Sequence, residues 1–485
     1  MGDHLNINVI SEIENKPIFY PYFNDKSGFS DYPSIINDYI DDKSTYFKEK
    51  NSIIRVCDDK NGVFLVNMGE YSDIEYNTVR EFGWSCFKRA KQEFIKDFVI
   101  SIDGFFNGLD SSEVINALCE GINLSDYRYD LFKKKSENPP FEIENVSILT
   151  KDISEDYNRI IETAAVITKG VKLTRDMING PANYITIDYM EKQARRISEE
   201  SKLDIIVFDH KALAENNMNL ILAVGRSGPQ KPRMIQIDYK HKDSKKKVVL
   251  VGKGIIFDTG GLNIKTEKFM DNMKSDMSGA AIVMSVIDIV AKLKMQVDLT
   301  VLMPLAENSI GPESYRPGDI ITGHKGKSVE IHSTDAEGRL ILADALSYAD
   351  TLKPDIVIDI ATLTGAVRIA LGSKMFAGFF RNNEIESDFK KVSDLTGEYL
   401  WSLPLFKHYK KNIRSDFADL ANLGTPSREA GSIMAALFLG EFIENNNWVH
   451  LDIASVSFAD NEYCYLPKGG SGIPVRTLVR YIQQI

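Results

Sequence analysis

The spacing of apolar residues changes along the chain and divides it into two parts. Residues 1 to about 137 mix short apolar runs, such as Gly62–Asn67 and Phe98–Ile102, with candidate helices. From Asn158 to Met177 apolar residues recur at helical spacing, until a helix-breaking Asn-Gly-Pro sequence follows. This pattern predicts an N-terminal α/β domain over residues 1–157, followed by a long linking helix over residues 158–180.

Beyond residue 180, short β-branched runs alternate with longer helical stretches, which is typical of a sheet covered by helices. The candidate strands are Leu203–Phe208, Met234–Tyr239, Lys247–Gly252, Val297–Pro304, Ile356–Thr362 and Val449–Ser455. The candidate helices include Ser278–Leu293, Ala336–Thr351 and Gly431–Glu444. We therefore predict a C-terminal α/β domain with a helix-covered mixed sheet over residues 181–485. Ligands of open α/β sheets bind beyond the carboxyl ends of strands, so the loops after these runs are where we look for chemistry.

Composition and charge limit the class of protein. The 485 residues are 43% hydrophobic and 26% charged, which fits a folded protein of more than one domain. The formal net charge of -11 repels polyphosphate, and the basic cluster Lys240–Lys247 lies between two candidate strands, where we expect a solvated hairpin turn. Four separated cysteines, expected to be free thiols, suit a reducing compartment, and neither a signal peptide nor a bilayer-spanning run is found. We expect a cytoplasmic protein without a membrane or nucleic-acid partner.

Two segments carry an unusual density of charge in otherwise apolar surroundings, one where a strand runs into a glycine-rich loop and one where a helix begins. Glycines allow a backbone to approach a ligand closely. The charged residues all lie at strand-loop junctions or helix entrances of the second predicted domain. They are Lys253, Asp258, Lys265 and Asp276 in the segment 248–281, and Asp335, Glu337 and Arg339 in the segment 333–340.

Each of these residues also has a purely structural interpretation. Asp276 and Asp335 could cap the helices that follow them, Asp258 could fix a tight turn, and the lysines could be solvated. As a set, however, four carboxylates in one cleft would repel each other unless protonated or neutralised, and two divalent cations would balance their charge. The set therefore predicts a two-metal site. Ligands without Cys or His suit zinc, manganese, magnesium and cobalt, and the ligand set does not choose among these metals.

The same segments resemble the metal-binding core of the leucyl (cytosol) aminopeptidase family. The matching sequences are VGKGIIFDTGGLNIK from residue 251, KSDMSGAA from residue 274, STDAEGRLILADAL from residue 333 and TLTGA from residue 362. The chain departs from the family signature Asn-Thr-Asp-Ala-Glu-Gly-Arg-Leu only by Ser333 in place of Asn. The resemblance spans roughly Asn158 to the C-terminus and implies a metal-dependent enzyme that removes N-terminal residues from peptides.

The resemblance implies which residues would hold the two metal ions of each subunit. One ion would be bound by Asp258, by Glu337 and by Asp335 through both its side chain and its main-chain carbonyl. The other ion would be bound by Lys253, Asp276 and the bridging pair Asp258 and Glu337. Lys253 would ligate through a neutral nitrogen, because nearby positive charge and burial both depress the pKa of a lysine.

Two further residues would be catalytic by the same resemblance. Lys265 would stabilise the oxyanion of the tetrahedral intermediate, and Arg339 would bind a bicarbonate-like anion with help from a backbone N–H near Leu363. A metal-bridging water would lose its proton toward this anion and attack the scissile carbonyl, while the second metal ion and Asp276 hold the free α-amine of the peptide. The first-residue pocket, implied to accept leucine or another apolar residue, would be lined by Met273, Thr362, Gly365, Ala454 and Ser457, the last replacing a commoner methionine.

The resemblance also implies a homohexamer that acts on peptides with a free N-terminus, with an N-terminal domain that serves assembly or regulation. A DNA-binding or other non-catalytic role on the same scaffold is the alternative, and the negative net charge and the lack of a strong basic stripe oppose it. An aspartic endopeptidase built on Asp258-Thr259-Gly260 across a dimer axis is a third hypothesis, and such an enzyme would be indifferent to chelators.

Overall fold

The chain divides into two compact units in the computed structural model, which describes residues 5–12, 15–25, 49–56, 62–106, 108–134, 140–426 and 429–485. The first unit comprises Met1–Thr168, Leu395–Gly397 and Glu462–Pro467. The second unit comprises Lys169–Asp394, Glu398–Asn461 and Lys468–Ile485. The boundary between the two main segments lies inside a long helix, Tyr157–Asn179, in the range where the sequence predicts a linking helix.

The first unit is built on a mixed sheet. Its strands are β1 (Asn6–Ile10), β2 (Ile18–Tyr22), β3 (Ile53–Arg55), β4 (Val63–Asn67), β5 (Asp97–Ser101) and β6 (Asn145–Leu149). Its helices are α1 (Tyr76–Gln92), α2 (Ser111–Ser125) and the beginning of α3 (Tyr157–Asn179), with 3-10 turns at Tyr71–Asp73 and Asp103–Phe105. The strand order is β1-β6-β5-β2-β4-β3, and only β3 runs antiparallel to its described neighbour.

Apolar side chains hold the first unit together. Phe82 of α1 and Ile115 of α2 belong to the same buried cluster as Phe19 and Phe98 of the sheet. Burial of such side chains stabilises each by roughly 1.5–3 kcal/mol relative to exposure. Of the cysteines predicted to be free thiols, Cys86, Cys119 and Cys464 are buried and form no disulfide bond among the described residues, whereas Cys57 lies outside them.

The second unit contains the larger sheet and most of the helices. Its strands are β7 (Asp204–Phe208), β8 (Arg233–Tyr239), β9 (Lys247–Gly252), β10 (Gly254–Asp258), β11 (Asp298–Asn308), β12 (Ile320–Thr322), β13 (Ser328–Glu330), β14 (Ile356–Ala361), β15 (Phe376–Phe380), β16 (Leu400–Ser402), β17 (Leu420–Ala421), β18 (Trp448–Asp452), β19 (Phe458–Ala459) and β20 (Gly469–Gly470). Its helices are α4 (Ile187–Ser201), α5 (His210–Glu215), α6 (Asn219–Gly225), α7 (Glu267–Met270), α8 (Ser278–Lys292), α9 (Gly338–Thr351), α10 (Gly365–Leu371), α11 (Asn383–Thr396), α12 (Gly431–Gly440) and α13 (Val475–Gln484), with 3-10 turns at Met273–Ser275 and Lys407–Ile413.

The large sheet has the order β16-β15-β18-β14-β9-β11-β8-β7, with β10 pairing to β11. The central strands β18, β14, β9 and β11 run parallel to one another. At one edge, β8 runs antiparallel to β11, and β7 runs antiparallel to β8. Strands β9 and β14 are almost continuously apolar because helices α8 and α9 pack against them. Strands β12, β13 and β17 form a smaller sheet, and β19 pairs with β20.

The predicted α/β fold class is confirmed, and each candidate strand of the second unit has a counterpart in the structure. The predicted hairpin at Lys240–Lys247 is wrong, because β11 lies between β8 and β9 and pairs with both. The helix predicted over Gly431–Glu444 ends at Gly440. No helix in the described ranges is long and apolar enough to cross a membrane.

Candidate metal centre

Neighbouring strands end at one edge of the large sheet and carry the predicted site residues there. Strands β9, β14 and β18 are parallel neighbours, so their carboxyl ends share that edge. Lys253 directly follows β9, Thr362 follows β14, and Asp258 is the last residue of β10. The loops after the strands are therefore where the predicted chemistry collects, as expected for an open α/β sheet.

Glycines allow two helix entrances to pack closely around Lys253. A Cβ at Gly279, in the first turn of α8, would lie 2.1 Å from the carbonyl oxygen of Ile360 and 2.6 Å from the backbone nitrogen of Lys253. A Cβ at Gly338, which begins α9, would lie 2.4 Å from Cε of Lys253. The glycines that the sequence places beside the charged residues thus make room for the backbone and the side chain of this lysine.

The ammonium group of Lys253 lies between two buried carboxylates. Its Nζ is 2.7 Å from Oδ2 of Asp276 and 3.0 Å from Oε1 of Glu337. It also donates to the carbonyl oxygen of Thr362 at 2.9 Å. The Thr362 hydroxyl in turn donates to Oδ1 of Asp276 at 2.6 Å, so the loop after β14 helps to fix this carboxylate.

A second lysine joins the remaining two carboxylates. Lys265 Nζ lies 2.8 Å from Oδ2 of Asp258 and 2.5 Å from Oδ1 of Asp335. Asp258 Oδ1 accepts hydrogen bonds from the Gly260 N–H and from Nδ2 of Asn308, each at 2.8 Å. The proposed turn-fixing role of Asp258 is thus present, and it leaves the other carboxylate oxygen directed at Lys265.

The residues present fit divalent metal ions. Oxygens of Asp258, Asp335 and Glu337 lie within 4.8 Å of one another, which is the spacing of ligands around a shared ion. Oε2 of Glu337 is buried and has no hydrogen-bond donor among the described residues. A buried carboxylate oxygen without a donor is costly, and a cation satisfies it. Four carboxylates against two lysines leave a formal charge of -2 at this edge, which favours the binding of cations.

Burial and mutual repulsion perturb the pKa values of these carboxyl groups. Burial raises the pKa of Asp258 to about 6, with a further contribution from Glu337, although Lys265 and Lys253 oppose the shift. Burial also raises the pKa of Asp276 and of Asp335 above the ordinary range. For Glu337 the effect of burial is outweighed by Lys253 and Lys265, so its pKa is lowered. The cluster therefore disfavours four free charges, which is the electrostatic condition for metal binding.

Lys253 is held as an ammonium ion by the protein's own groups. Burial alone lowers its pKa, but the charges of Asp276, Glu337 and Asp258 outweigh burial and raise it above the ordinary value. The neutral amine that would ligate a metal ion therefore requires the additional positive charge of that ion.

The capping alternatives for Asp276 and Asp335 do not hold. The N-cap residue of α8 is Met277 and that of α9 is Glu337, and neither makes a side-chain capping hydrogen bond. Instead, the hydroxyl of Ser333 accepts the N–H of Asp335 at 3.2 Å. Ser333, which stands where the family signature has asparagine, thus supports the backbone of Asp335.

Arg339 lies beside this cluster and is buried. Its Nη1 donates to the carbonyl oxygen of Asn422 at 2.8 Å, whereas Nε has no partner among the described residues. Burial lowers the pKa of Arg339 to about 10, against the opposing charges of Glu337, Asp452 and Asp335. A buried guanidinium with an open donor can bind an anion. The N–H of Leu363, expected to help with that anion, donates to Oδ1 of Asp452 at 3.1 Å.

The predicted pocket residues come from several elements. Met273 begins the 3-10 turn that ends directly before Asp276, and Thr362 is bonded to Asp276. The N–H groups of Leu363 and Ala454 both donate to Asp452 Oδ1, so their loops adjoin. Gly365 begins α10 and is exposed, whereas Ser457 is buried.

Three buried polar residues of the site were not predicted from the sequence. Asn308 donates to Asp258, Asp452 accepts from the loop after β14, and Asn422 contacts both the Ser333 loop and Arg339. A polar residue at the end of an apolar strand could have indicated Asn308 and Asp452. Asn422 follows a strand of two residues and carries no such signal.

The fold and the site together define a metal-dependent hydrolase of the α/β class. The catalytic domain of the cytosol aminopeptidase family matches residues 172–479, and the N-terminal domain of the same family matches residues 51–136. The chain belongs to the cytosol aminopeptidase family and is a metallo-exopeptidase of that family.

Individual relatives agree with this assignment. A protein of Aquifex aeolicus named "Probable cytosol aminopeptidase" is 39% identical over 87% of this chain and 85% of its own length. One of Chlamydia trachomatis serovar D with the same name is 38% identical over the same shares. Among solved structures, the bottromycin maturation enzyme BotP in complex with Mn has a TM-score of 0.85 at 28% identity and covers 97% of this chain and 99% of that chain.

Proposed function

We propose that this protein removes an N-terminal leucine or another apolar residue from peptides with a free N-terminus, at a site for two divalent metal ions. The observation that carries the proposal is a pair of lysine-carboxylate groups, a buried one around Lys253 and a partly exposed one around Lys265, which converge on Glu337. The ligands would be Asp258, Asp335 and Glu337 for one ion and Lys253, Asp258, Asp276 and Glu337 for the other. The ions would supply Lewis acidity and an acidified water for attack on the peptide carbonyl.

The protein's own groups would orient the peptide and handle charge and protons. Asp276, fixed by the Thr362 hydroxyl, would receive the free α-amine of the substrate. Lys265 is partly accessible and would donate to the oxyanion that forms on the attacked carbonyl. Arg339, through its unpartnered Nε, would hold a bicarbonate-like anion as proton acceptor, because none of the residues gathered here is a histidine.

The identity of the metal and of the first residue belongs to the same proposal. Zinc is the ion that we expect, and manganese, which is named in the BotP complex, is supported as an alternative beside magnesium and cobalt. Met273, Thr362, Leu363, Gly365, Ala454 and Ser457 would line or border the first-residue pocket. Ser457 is shorter than methionine and more polar, so we expect a roomier pocket than one closed by methionine at this position.

The wider setting of the enzyme is proposed on the same basis. We expect a homohexamer in the cytoplasm, with residues 1–157 serving assembly or regulation, 158–180 linking and 181–485 carrying the catalysis. Large apolar side chains of the second unit are strongly exposed in the single chain, including Ile369 at 90% and Phe417 at 79%. Contacts between copies would bury side chains of this kind.

Replacement of one ligand and removal of metal test the proposed function. We expect Asp335→Asn, or addition of a chelator, to lower kcat/KM for release of leucine from leucyl-amide at least a hundredfold, because a carboxylate ligand is lost. A matched control is Asp355→Asn, since Asp355 accepts from Lys247 at the opposite edge of the sheet. N-acetylation of the substrate should block its hydrolysis. Undiminished leucine release with chelator present would refute the proposal.

A further inference from the structure

We propose that Asn422 is a positioning residue of the metal centre, which fixes the loop that presents Asp335 and Glu337 and also orients Arg339. This inference rests on the proposed function. Asn422 is fully buried and follows strand β17. It is separated in sequence from the loop it contacts by more than eighty residues, and it is not among the residues that the family resemblance implies.

The small sheet explains how Asn422 reaches this loop. Strands β13 and β17 run parallel, with Val329 opposite Leu420 and Glu330 opposite Ala421. Parallel strands leave the sheet at the same edge, so the residue after β17 adjoins the residues after β13. The N–H of Asn422 continues this pairing by donating to the carbonyl of Glu330 at 3.0 Å.

The side chain of Asn422 bonds to the backbone of the loop on both sides. Its Oδ1 accepts the N–H groups of His332 at 2.8 Å and Ser333 at 3.2 Å. Its Nδ2 donates to the carbonyl oxygens of Ser333 at 2.6 Å and Ala336 at 3.4 Å. The side-chain amide of Asn422 therefore contacts the backbone before Asp335, at His332 and Ser333, and between Asp335 and Glu337, at Ala336. These bonds restrict the path of the loop that carries both carboxylates.

The main chain of Asn422 contacts the second functional element. Its carbonyl oxygen accepts a hydrogen bond from Nη1 of Arg339 at 2.8 Å, and Nε of Arg339 has no partner among the described residues. The same residue thus sets the path of two carboxylate ligands and the direction of the guanidinium. Groups that orient metal ligands commonly contribute about 10–100-fold to metal affinity.

If Asn422 had a purely structural role, it would stabilise the loop without affecting metal binding. A matched variant at another asparagine distinguishes a structural role from a positioning role. Asn445 makes a similar set of contacts at the opposite edge of the sheet. Its Nδ2 donates to the Pro354 carbonyl at 2.8 Å, its Oδ1 accepts the Asn447 N–H at 2.7 Å, and its own carbonyl accepts Nη1 of Arg381 at 2.9 Å. Asn445→Ala therefore removes side-chain bonds of the same kind away from the metal ligands, two bonds where Asn422→Ala removes four, and leaves the main-chain bond to Arg381 in place.

The test measures Mn²⁺ binding to the full-length, chelator-treated protein by calorimetry, without substrate. We expect Asn422→Ala to raise the dissociation constant for Mn²⁺ about 10–100-fold relative to the wild type. Asn445→Ala should stay within about twofold of it, while both variants lower the metal-free melting temperature because buried backbone groups lose partners. Asn422→Ser, which is too short to reach both sides of the loop, is expected to weaken Mn²⁺ binding in the same direction if Asn422→Ala does not fold.

The outcomes distinguish this inference from the proposed function. An affinity of the folded Asn422 variants for Mn²⁺ equal to that of the wild type would overturn the positioning role and leave the proposed function intact. A wild type that binds Mn²⁺ but does not release leucine would overturn the proposed function, and the affinity loss in Asn422→Ala would still support the positioning role. A wild type that binds neither Mn²⁺ nor Zn²⁺ in the same titration would overturn both.

Discussion

Glu441 and Asp258 show how neighbouring cations decide the pKa of a carboxyl group in this protein. Both are shielded from water, and burial raises the pKa of each. Glu441 lies 2.7 Å from Lys327 and 2.8 Å from Lys410, whose hydrogen bonds and charges outweigh burial and lower its pKa to about 2. At Asp258 the repulsion from Glu337 adds to burial, and the pKa is about 6. Both carboxyl groups are paired with lysine, and the second carboxylate near Asp258 makes the difference between a lowered and a raised pKa.

Glu441→Gln tests the first of these cases. Because the folded pKa of Glu441 lies below its ordinary value of 4.5, its stabilisation is complete above about pH 4.5 and is lost as the pH falls toward 2. We expect the substitution to lower the apparent melting temperature by about 1–3 °C at pH 7, and the difference to shrink in acid. Thermal unfolding over a pH series measures this. Glu444→Gln, at an exposed ion pair with Lys325, is the control and should change little at any pH.

At the scale of elements, strand pairing departs from the order of the strands in the sequence. Strands β8 and β9 are consecutive along the chain, yet β11 lies between them and pairs antiparallel with β8 and parallel with β9. The apolar pattern identifies each strand but holds no information about its neighbour. The central position of β11 also carries Asn308 to the site, where its side chain binds Asp258.

Close contact between α8 and β14 gives a prediction at the same scale. Gly279→Ala would place a Cβ 2.1 Å from the backbone oxygen of Ile360, so the helix must move. We expect a loss of about 1–3 kcal/mol in the free energy of unfolding, measured by chemical denaturation. Gly365→Ala, which begins α10 with no atom within 4 Å of the new Cβ, is the stability control. Equal stability of the two variants would contradict this account of the packing.

For the whole molecule, the formal net charge of -11 includes the four acidic residues among the proposed metal ligands. Two divalent ions would add four positive charges at one edge of the large sheet, so part of the acidity of this protein is concentrated where metal ions are expected. The negative net charge therefore arises partly from the proposed metal site and partly from the surface, and its value alone does not show how much comes from each.

The proposed assembly is tested on the same scale. We expect mass photometry of the metal-loaded protein to give six times the chain mass of 54.6 kDa, because association would cover apolar side chains such as Ile369 and Phe417. Measurement across a dilution series serves as the control for concentration dependence. A monomer that persists at micromolar concentration would contradict the homohexamer.

The sequence by itself determined the α/β class and the set of charged residues at strand ends and helix entrances, because these follow from local periodicity and from short motifs. Only the tertiary structure decided which strands pair and which polar residues hold the site. Asn308 and Asn422 reach their partners across about 50 and 90 residues of sequence. A buried asparagine and a solvated one look the same in a sequence, and only the packing of distant segments gives one of them partners to orient.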